Sequence, residues 1–317
     1  MELSQLAGRR IFVTGAGGFI GVYLCRALLG CGAEVHGISR KEQVGSRDDI
    51  RWWRGDLADM PGIRKIITTI KPDIIFHLAS HVAGSRDLRL VWPTFQSNLV
   101  STVNLLTIAS EIGCQRIILT GSLEEPESDS GDTVPCSPYA AAKGASSSYA
   151  RMFHALYQTP VVMARLFMVY GPGQQDVSKL IPYVTLSLLN KQSPKLGSGQ
   201  RRIDWVFVED VVAGLIAAAQ TPNIEGRVID LGSGALVSIR TIVQQLADQI
   251  DPQIELMWGA LPDRPMEQTR VANISRTYEA MGWTPTTSLA VGLERTVDWY
   301  REHGGSLHQK TEGHCVL

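Results

Sequence analysis

The chain has 317 residues, 44% of them hydrophobic and 19% charged, with 30 Lys+Arg against 31 Asp+Glu. That is the balance of a globular protein large enough for one big domain or two unequal ones, and a formal net charge of -1 offers no basic field to a phosphate backbone. No apolar stretch reaches the ~18 residues of a membrane span, and no secretory h-region opens the chain, so a cytoplasmic protein without nucleic-acid or membrane partners is expected. Cys25, Cys31, Cys114, Cys136 and Cys315 show neither C-x-x-C spacing nor a histidine at ligand spacing, which implies no disulfide framework and no metal site. Cys315 falls one place short of a prenylation box and reads as a thiol on a tail.

In chain order, short β-branched runs alternate with longer amphipathic segments, the pattern of an α/β fold with a doubly wound parallel sheet. Strands are predicted at Ile11 to Thr14, Glu34 to Ile38, Ile74 to His77, Arg116 to Leu119 and Val161 to Arg165. Between them, Ile20 to Leu29, Ile63 to Ile70, Phe95 to Ile112 and Tyr139 to Tyr157 carry apolar residues at helical spacing. After about residue 165 prolines punctuate shorter elements, with helices predicted at Leu180 to Asn190, Val211 to Ala219, Ile239 to Gln249 and Leu289 to Arg301. The polar segment from Gly304 onward is expected to be disordered.

Directly after the first strand stands Thr14-Gly15-Ala16-Gly17-Gly18-Phe19-Ile20-Gly21, which opens the first helix. Gly15 can take positive φ for a tight turn, Gly18 lets backbone approach a pyrophosphate, and Gly21 lets helix and strand pack closely. The N–H groups at the helix start, those of Phe19 and Ile20 among them, then face the anion.

The spacing G-x-x-G-x-x-G, with the motifs below, resembles the extended short-chain dehydrogenase/reductase family, the group of nucleotide-sugar epimerases, dehydratases and reductases. The resemblance implies a Rossmann dinucleotide-binding domain over residues 1 to 165 and a smaller α/β substrate lobe over 166 to 303, with room for chain crossings back to the first domain. At the end of the second strand, where the plain fingerprint keeps an acid for the ribose diol, this chain reads Ser39-Arg40-Lys41. A guanidinium there matches a 2′-phosphate that a carboxylate would repel, favouring NADP over NAD. Asp56-Leu57 resembles the family's adenine-contacting pair, and His77-Leu78-Ala79-Ser80 the segment that runs under the cofactor. His77, at the end of an apolar strand, reads as a satisfied core histidine.

Tyr139 and Lys143 stand four residues apart, on one face of a helix. An ammonium near a phenol, beside a positively charged nicotinamide, should lower the phenol pKa from ~10 toward the working pH. Tyr139 could then exchange a proton with a sugar hydroxyl while hydride moves at the same carbon. Thr120-Gly121-Ser122-Leu123-Glu124-Glu125-Pro126 aligns with the family's Ser/Thr-x-x-x-Tyr-Gly segment, which makes Ser122 the hydroxyl on the substrate oxygen. Pro126 and Glu127 replace the usual Tyr-Gly. Relatives that dehydrate often place Asp then Glu after the catalytic Ser/Thr; Leu123 then Glu124 keeps only the second, so Glu124 joins the catalytic set while dehydration lacks an acid.

Val169 to Gln174, Trp205 to Val212, Asn273 to Ser275 and Gly282 to Pro285 match further family segments. Met168 stands where the family commonly has Asn, and Ile203 where it has Arg, with Arg202 one place earlier. A substrate diphosphate needs cations, so Lys179, Arg202 and Arg264 are the candidates, with His81 in the same substrate set. The expected activity is NADP-dependent 4-keto reduction of a nucleoside-diphosphate sugar, in the look of the GDP-mannose dehydratase and 4-keto reductase branch. Its alternatives are 4-epimerisation with bound cofactor, 4,6-dehydration and, from another class, non-catalytic NADP sensing, against which Tyr139 and Lys143 speak. Small residues from Ala140 to Ser148, paired with the Phe95 to Ile112 helix, resemble the dimer-forming helix pair of this family, and the resemblance implies a homodimer through a four-helix bundle.

Overall fold

A computed structural model of the chain describes residues 6–41, 49–82, 84–126 and 133–304. Glu127, Cys315 and the rest of the polar segment after Gly304 lie outside the described residues. The elements run β1 (Arg10–Thr14), α1 (Phe19–Gly30), β2 (Glu34–Ser39), β3 (Arg51–Arg54), α2 (Met60–Ile70), β4 (Ile74–His77), α3 (Val91–Thr94), a π-helical segment (Phe95–Val100) and α4 (Ser101–Ile112). They continue as β5 (Arg116–Ser122), α5 (Pro138–Tyr157), β6 (Val161–Leu166), β7 (Met168–Tyr170), α6 (Leu180–Leu189), β8 (Arg202–Phe207) and α7 (Val208–Gln220). The chain closes with β9 (Val228–Leu231), β10 (Leu236–Ser238), α8 (Ile239–Ile250), α9 (Ile274–Met281) and α10 (Leu289–His303).

Two compact units result. The first takes the chain to Leu166 and recovers it over Val212–Asp230 and Ser275–Trp283; the second takes Phe167–Val211, Leu231–Ile274 and the chain from Thr284 on. In the first, a seven-stranded sheet has the order β3-β2-β1-β4-β5-β6-β9, with each pairing from β3 to β6 parallel. Strands β4 and β5 are buried along their whole length, which is why they read as unbroken apolar runs. One core, including Phe12, Ile63, Ile75, Leu105, Ile117 and Phe153, lies under α2, α4 and α5. Each fully buried aliphatic or aromatic side chain there contributes about 1.5–3 kcal/mol relative to exposure.

The sequence pattern does not show β3, because an edge strand written Arg-Trp-Trp-Arg buries only its middle and alternates nothing apolar. Its Trp53 Nε1 donates to His36 Nδ1 at 3.0 Å, tying the edge to β2. The predicted helix from Phe95 begins earlier, at Val91, and passes through a π-helical turn before becoming α-helical at Ser101.

The second unit has a three-stranded sheet, β10-β8-β7, antiparallel at its first pairing and parallel at its second. α6, α8 and α10 close over it around Tyr170, Val184, Phe207, Leu246, Leu293 and Val297. Fully buried Asp204 accepts N–H bonds from Ser233 (2.6 Å), Gly234 (3.0 Å) and Ala272 (2.9 Å), so the acid of the Trp205 motif is a loop anchor. Asp210 does the same for Thr286 and Thr287, at 3.0 Å each, which joins that motif to the one ending in Pro285. Among the described residues no helix is long and apolar enough to cross a membrane, and no group of three or more His, Cys, Asp or Glu could hold a metal ion.

Candidate active site

The strand order reverses between β1 and β4, so the loops that follow these two strands lie side by side at the carboxyl edge of the sheet. Thr14 Oγ1 accepts the Ala79 N–H at 3.1 Å, and Leu78 N–H donates to the Thr14 carbonyl at 3.2 Å. Gly15 has φ +69°, and a Cβ there would stand 2.7 Å from the Ala79 nitrogen, so only glycine fits. A Cβ on Gly21 would fall on the Gly15 carbonyl oxygen. Helix α1 starts at Gly18 with no side-chain cap and no acidic residue in its first turn, so its leading N–H groups are available to an anion.

These features test the cofactor that the glycine pattern implies, and they fit it. The cradle is backbone-lined and kept clear by three glycines, and Ser80 Oγ beside it is buried with no hydrogen-bond partner among the described residues. At the end of β2, Ser39 Oγ accepts the Lys41 N–H at 3.1 Å, and Arg40 is exposed. Asp56 accepts the Ala58 N–H at 3.0 Å, and the Leu57 carbonyl is held by Asn104 Nδ2 at 2.9 Å.

Next along the same edge, β5 ends at Ser122, whose hydroxyl is hydrogen-bonded to the Tyr139 phenol. Ser137 caps α5 by accepting the Ala140 N–H at 3.1 Å, and Pro138 presets its first turn, which together aim Tyr139 at the strand end. Lys143 Nζ donates to the Thr120 carbonyl at 2.7 Å and lies 5.9 Å from the centre of the Tyr139 ring. Ser122, Tyr139 and Lys143 are all buried. Burial pushes the Lys143 ammonium down to about 8, against the opposing charge of Glu125. In the protein alone the phenol of Tyr139 stands above its ordinary value, not below it as the sequence argument expects. Burial outweighs the Ser122 hydrogen bond, and the charges of Glu124 and Glu125 push the same way.

Of the other sequence candidates, Glu124 is half-buried and donates its N–H to Ser122 Oγ at 3.2 Å, while Leu123 is buried and apolar. His77 is a core histidine, with Nδ1 on Thr14 Oγ1 (2.8 Å) and Nε2 on Thr102 Oγ1 (3.1 Å); burial pushes it down to about 3, so it stays neutral. His81 is half-buried after β4, with Nδ1 on Thr94 Oγ1 at 3.1 Å. Asn98, in the π-helical turn, clamps that loop by accepting the His81 N–H (2.7 Å) and donating to the His81 carbonyl (3.2 Å). The sequence reading misses Asn98; the hydroxyl-rich stretch Ser97 to Thr102, whose side chains bond back to the helix, is the signal for it. Of the small residues on α5, Ala140, Ala142, Ser146 and Ser147 are buried within this chain, which removes them from any intermolecular face.

In the second unit Lys179 stands at the N-cap position of α6, without a side-chain capping bond, and lies 4.0 Å from Asp176. Arg202 is exposed and donates to the Leu236 carbonyl at 3.0 Å, so it is occupied by its own sheet. Its neighbour Arg201 meets Glu267 at 2.6 Å, and Arg264 reaches the same carboxylate at 3.7 Å. Arg201 Nε is buried without an acceptor among the described residues.

A doubly wound sheet with a glycine cradle after β1, and Ser, Tyr and Lys at the end of β5 and the start of α5, defines the extended short-chain dehydrogenase/reductase class. The model of the NAD dependent epimerase/dehydratase family matches residues 11–232, and the chain belongs to that family. It is 31% identical over 318 residues to a dTDP-glucose 4,6-dehydratase of Streptomyces griseus, covering 92% of this chain and 94% of that one. A UDP-glucose 4-epimerase of Mycolicibacterium smegmatis is 30% identical over 92% of this chain and 98% of its own. Among solved structures, an epimerase of Methanothermobacter thermautotrophicus superposes with TM-score 0.86 at 26% identity, over 98% of this chain and 97% of that chain. A UDP-glucuronic acid 4-epimerase from Bacillus cereus, in complex with UDP-glucuronic acid and NAD, gives 0.80 at 26%, over 92% and 99%.

Proposed function

We propose that the protein is a cytoplasmic, homodimeric NADP-dependent oxidoreductase acting at C4 of a nucleoside-diphosphate sugar, in the direction of 4-keto reduction. The observation that carries the reading is the buried Ser122, Tyr139 and Lys143 cluster at the sheet edge that also holds the glycine cradle. The backbone from Gly15 to Gly21, with Ser39, Arg40, Asp56, Leu57 and Leu78 to Ser80, would hold the dinucleotide, and Tyr139 and Lys143 its nicotinamide end. A bound nicotinamide supplies a reversible hydride carrier and, when oxidised, a positive charge. Ser122 hydrogen-bonds the oxygen at C4, and Tyr139 moves the proton on that oxygen. Lys143, held by the Thr120 carbonyl, favours the phenolate with its charge. Lys179, Arg201 and Arg264 are proposed for the diphosphate, with His81 toward the sugar. Arg40 supports NADP, since Ser39, Arg40 and Lys41 place no carboxylate where a 2′-phosphate would stand. Exposed Trp92, stacked on Phe95 at 5.4 Å, supports a dimer through the α3 face.

A second reading, 4-epimerisation, is supported by the similarity to proteins named as 4-epimerases, and the same side chains would serve it; similarity to proteins named as 4,6-dehydratases supports dehydration equally. Dehydration is disfavoured by Leu123, which has no proton to give a leaving hydroxyl. The test is a screen of nucleotide sugars and their 4-keto-6-deoxy forms with the purified protein, following NADPH absorbance and product mass together. Stoichiometric NADPH consumption supports reduction, and an epimer without net consumption supports the second reading. Loss of water from a 6-hydroxylated sugar, or no product from any of them, overturns the proposal.

A further inference from the structure

Glu125 is a buried acid beside the site that neither the family motif nor the proposed chemistry uses. It sits three residues past the end of β5. Its Oε1 accepts the Ser122 backbone N–H at 2.8 Å, and its Oε2 accepts the Ser147 hydroxyl of α5 at 2.7 Å. Both oxygens are thus engaged, one by the strand end and one by the helix. Its own N–H returns to the Ser122 carbonyl at 3.1 Å, closing a turn around the strand end. A Cβ on Gly121 would stand 2.5 Å from Oε1, so the strand leaves out a side chain where the carboxylate lies. The residue is only 6% exposed, and a buried charge needs a partner of opposite sign.

We propose that Glu125 is a positioning residue of this site: one buried carboxylate locks the strand end that carries Ser122 to the helix that carries Tyr139 and Lys143, and provides the counter-charge of the Lys143 ammonium. The inference rests on the reading of Ser122, Tyr139 and Lys143 as the reacting groups. Lys143 meets the Thr120 carbonyl of β5 and the Tyr139 ring of α5, while neutral His77 of β4 and Glu125 of the loop act on it through space, without an ion pair. Among them Glu125 alone supplies a charge that supports the ammonium against burial. The same charge opposes ionisation of Tyr139, so its removal should lower both groups.

Glu125→Gln keeps the size and an acceptor for the Ser122 N–H but removes the charge, and Ser147→Ala removes one hydrogen bond but keeps the charge. The Lys143 amine is titrated by NMR on isotope-labelled lysine side chains, with its signal assigned through Lys143→Met, and the pH profile of kcat is measured alongside. In Glu125→Gln the Lys143 midpoint should fall by about 1 pH unit, and the alkaline limb of kcat should move down with it. Ser147→Ala should leave the midpoint in place. An unchanged Lys143 midpoint in a folded Glu125→Gln protein, or an equal fall in Ser147→Ala, overturns the proposal. If no nucleotide sugar is turned over, the functional reading fails, while the Lys143 midpoint still decides the role of Glu125.

Discussion

Replacing Gly21 by alanine would place a methyl group on the Gly15 carbonyl oxygen and 2.9 Å from the Ala16 carbonyl carbon and Cα. All of these are backbone atoms, so no rotamer change relieves the overlap, and α1 must lift away from the loop. Overpacking of this kind costs about 1–3 kcal/mol, against a gain of at most about 1 kcal/mol from alanine's helix propensity. A net loss of about 2 kcal/mol corresponds to a melting temperature lower by about 4–8 °C for a unit of this size. The lifted loop also opens the cradle, so dinucleotide affinity should fall at least about tenfold, or about 1.4 kcal/mol. Gly30→Ala at the other end of α1 is the control: nothing lies within 4 Å of its Cβ, and it should be neutral or slightly stabilising. Thermal unfolding with and without dinucleotide, plus binding titrations, compares the two. A Gly21→Ala protein that melts with the wild type and binds dinucleotide equally well would refute the argument from close approach.

Arg40→Asp should weaken NADP binding by about 2 kcal/mol, roughly thirtyfold, while sparing NAD, because it removes charge-assisted bonds to the 2′-phosphate and adds repulsion. Titration calorimetry with both dinucleotides reads this, and an unmodified protein that prefers NAD contradicts the NADP assignment. Lys143→Met should abolish turnover yet stabilise the fold near neutral pH. Burial lowers Lys143 from 10.5 to about 8, which at about 1.4 kcal/mol per unit is a cost of order 3 kcal/mol, reduced by loss of the Thr120 hydrogen bond. The unfolded lysine binds the extra proton between those values. The cost is therefore complete below pH about 8 and is relieved as pH rises toward 10.5, so wild-type stability should climb through that window and Lys143→Met should lack the climb. Urea unfolding across the range measures it, and parallel curves for the two proteins would count against a charged Lys143.

The cofactor end of the site is legible in the sequence because its determinants are local. Gly15 to Gly21 are consecutive, follow an apolar strand and open a helix, and Gly15 and Gly21 are each required by a close contact with the loop beside them or within the same turn. Tyr139 and Lys143 share a helix face by spacing alone, and Ser122 ends a strand whose apolar run is unmistakable. The edge strand β3 and the three-residue strands β7 and β10 escape sequence reading, since an exposed or very short strand has no alternation to display.

What the sequence determines by itself is whatever a periodicity or a few neighbouring residues can encode: the doubly wound order of elements, the glycine cradle and the pairing of Tyr139 with Lys143. Tertiary structure decides what depends on groups far apart in the chain. It makes His77 a neutral core residue through Thr14 and Thr102, and it sets Lys143 against the Thr120 carbonyl. It also turns Glu125, outwardly one more acid in a loop, into a buried link between β5 and α5. Burial is a property of the packed unit, and both the shift of an ionisable group and the need of a carboxylate for partners follow from burial.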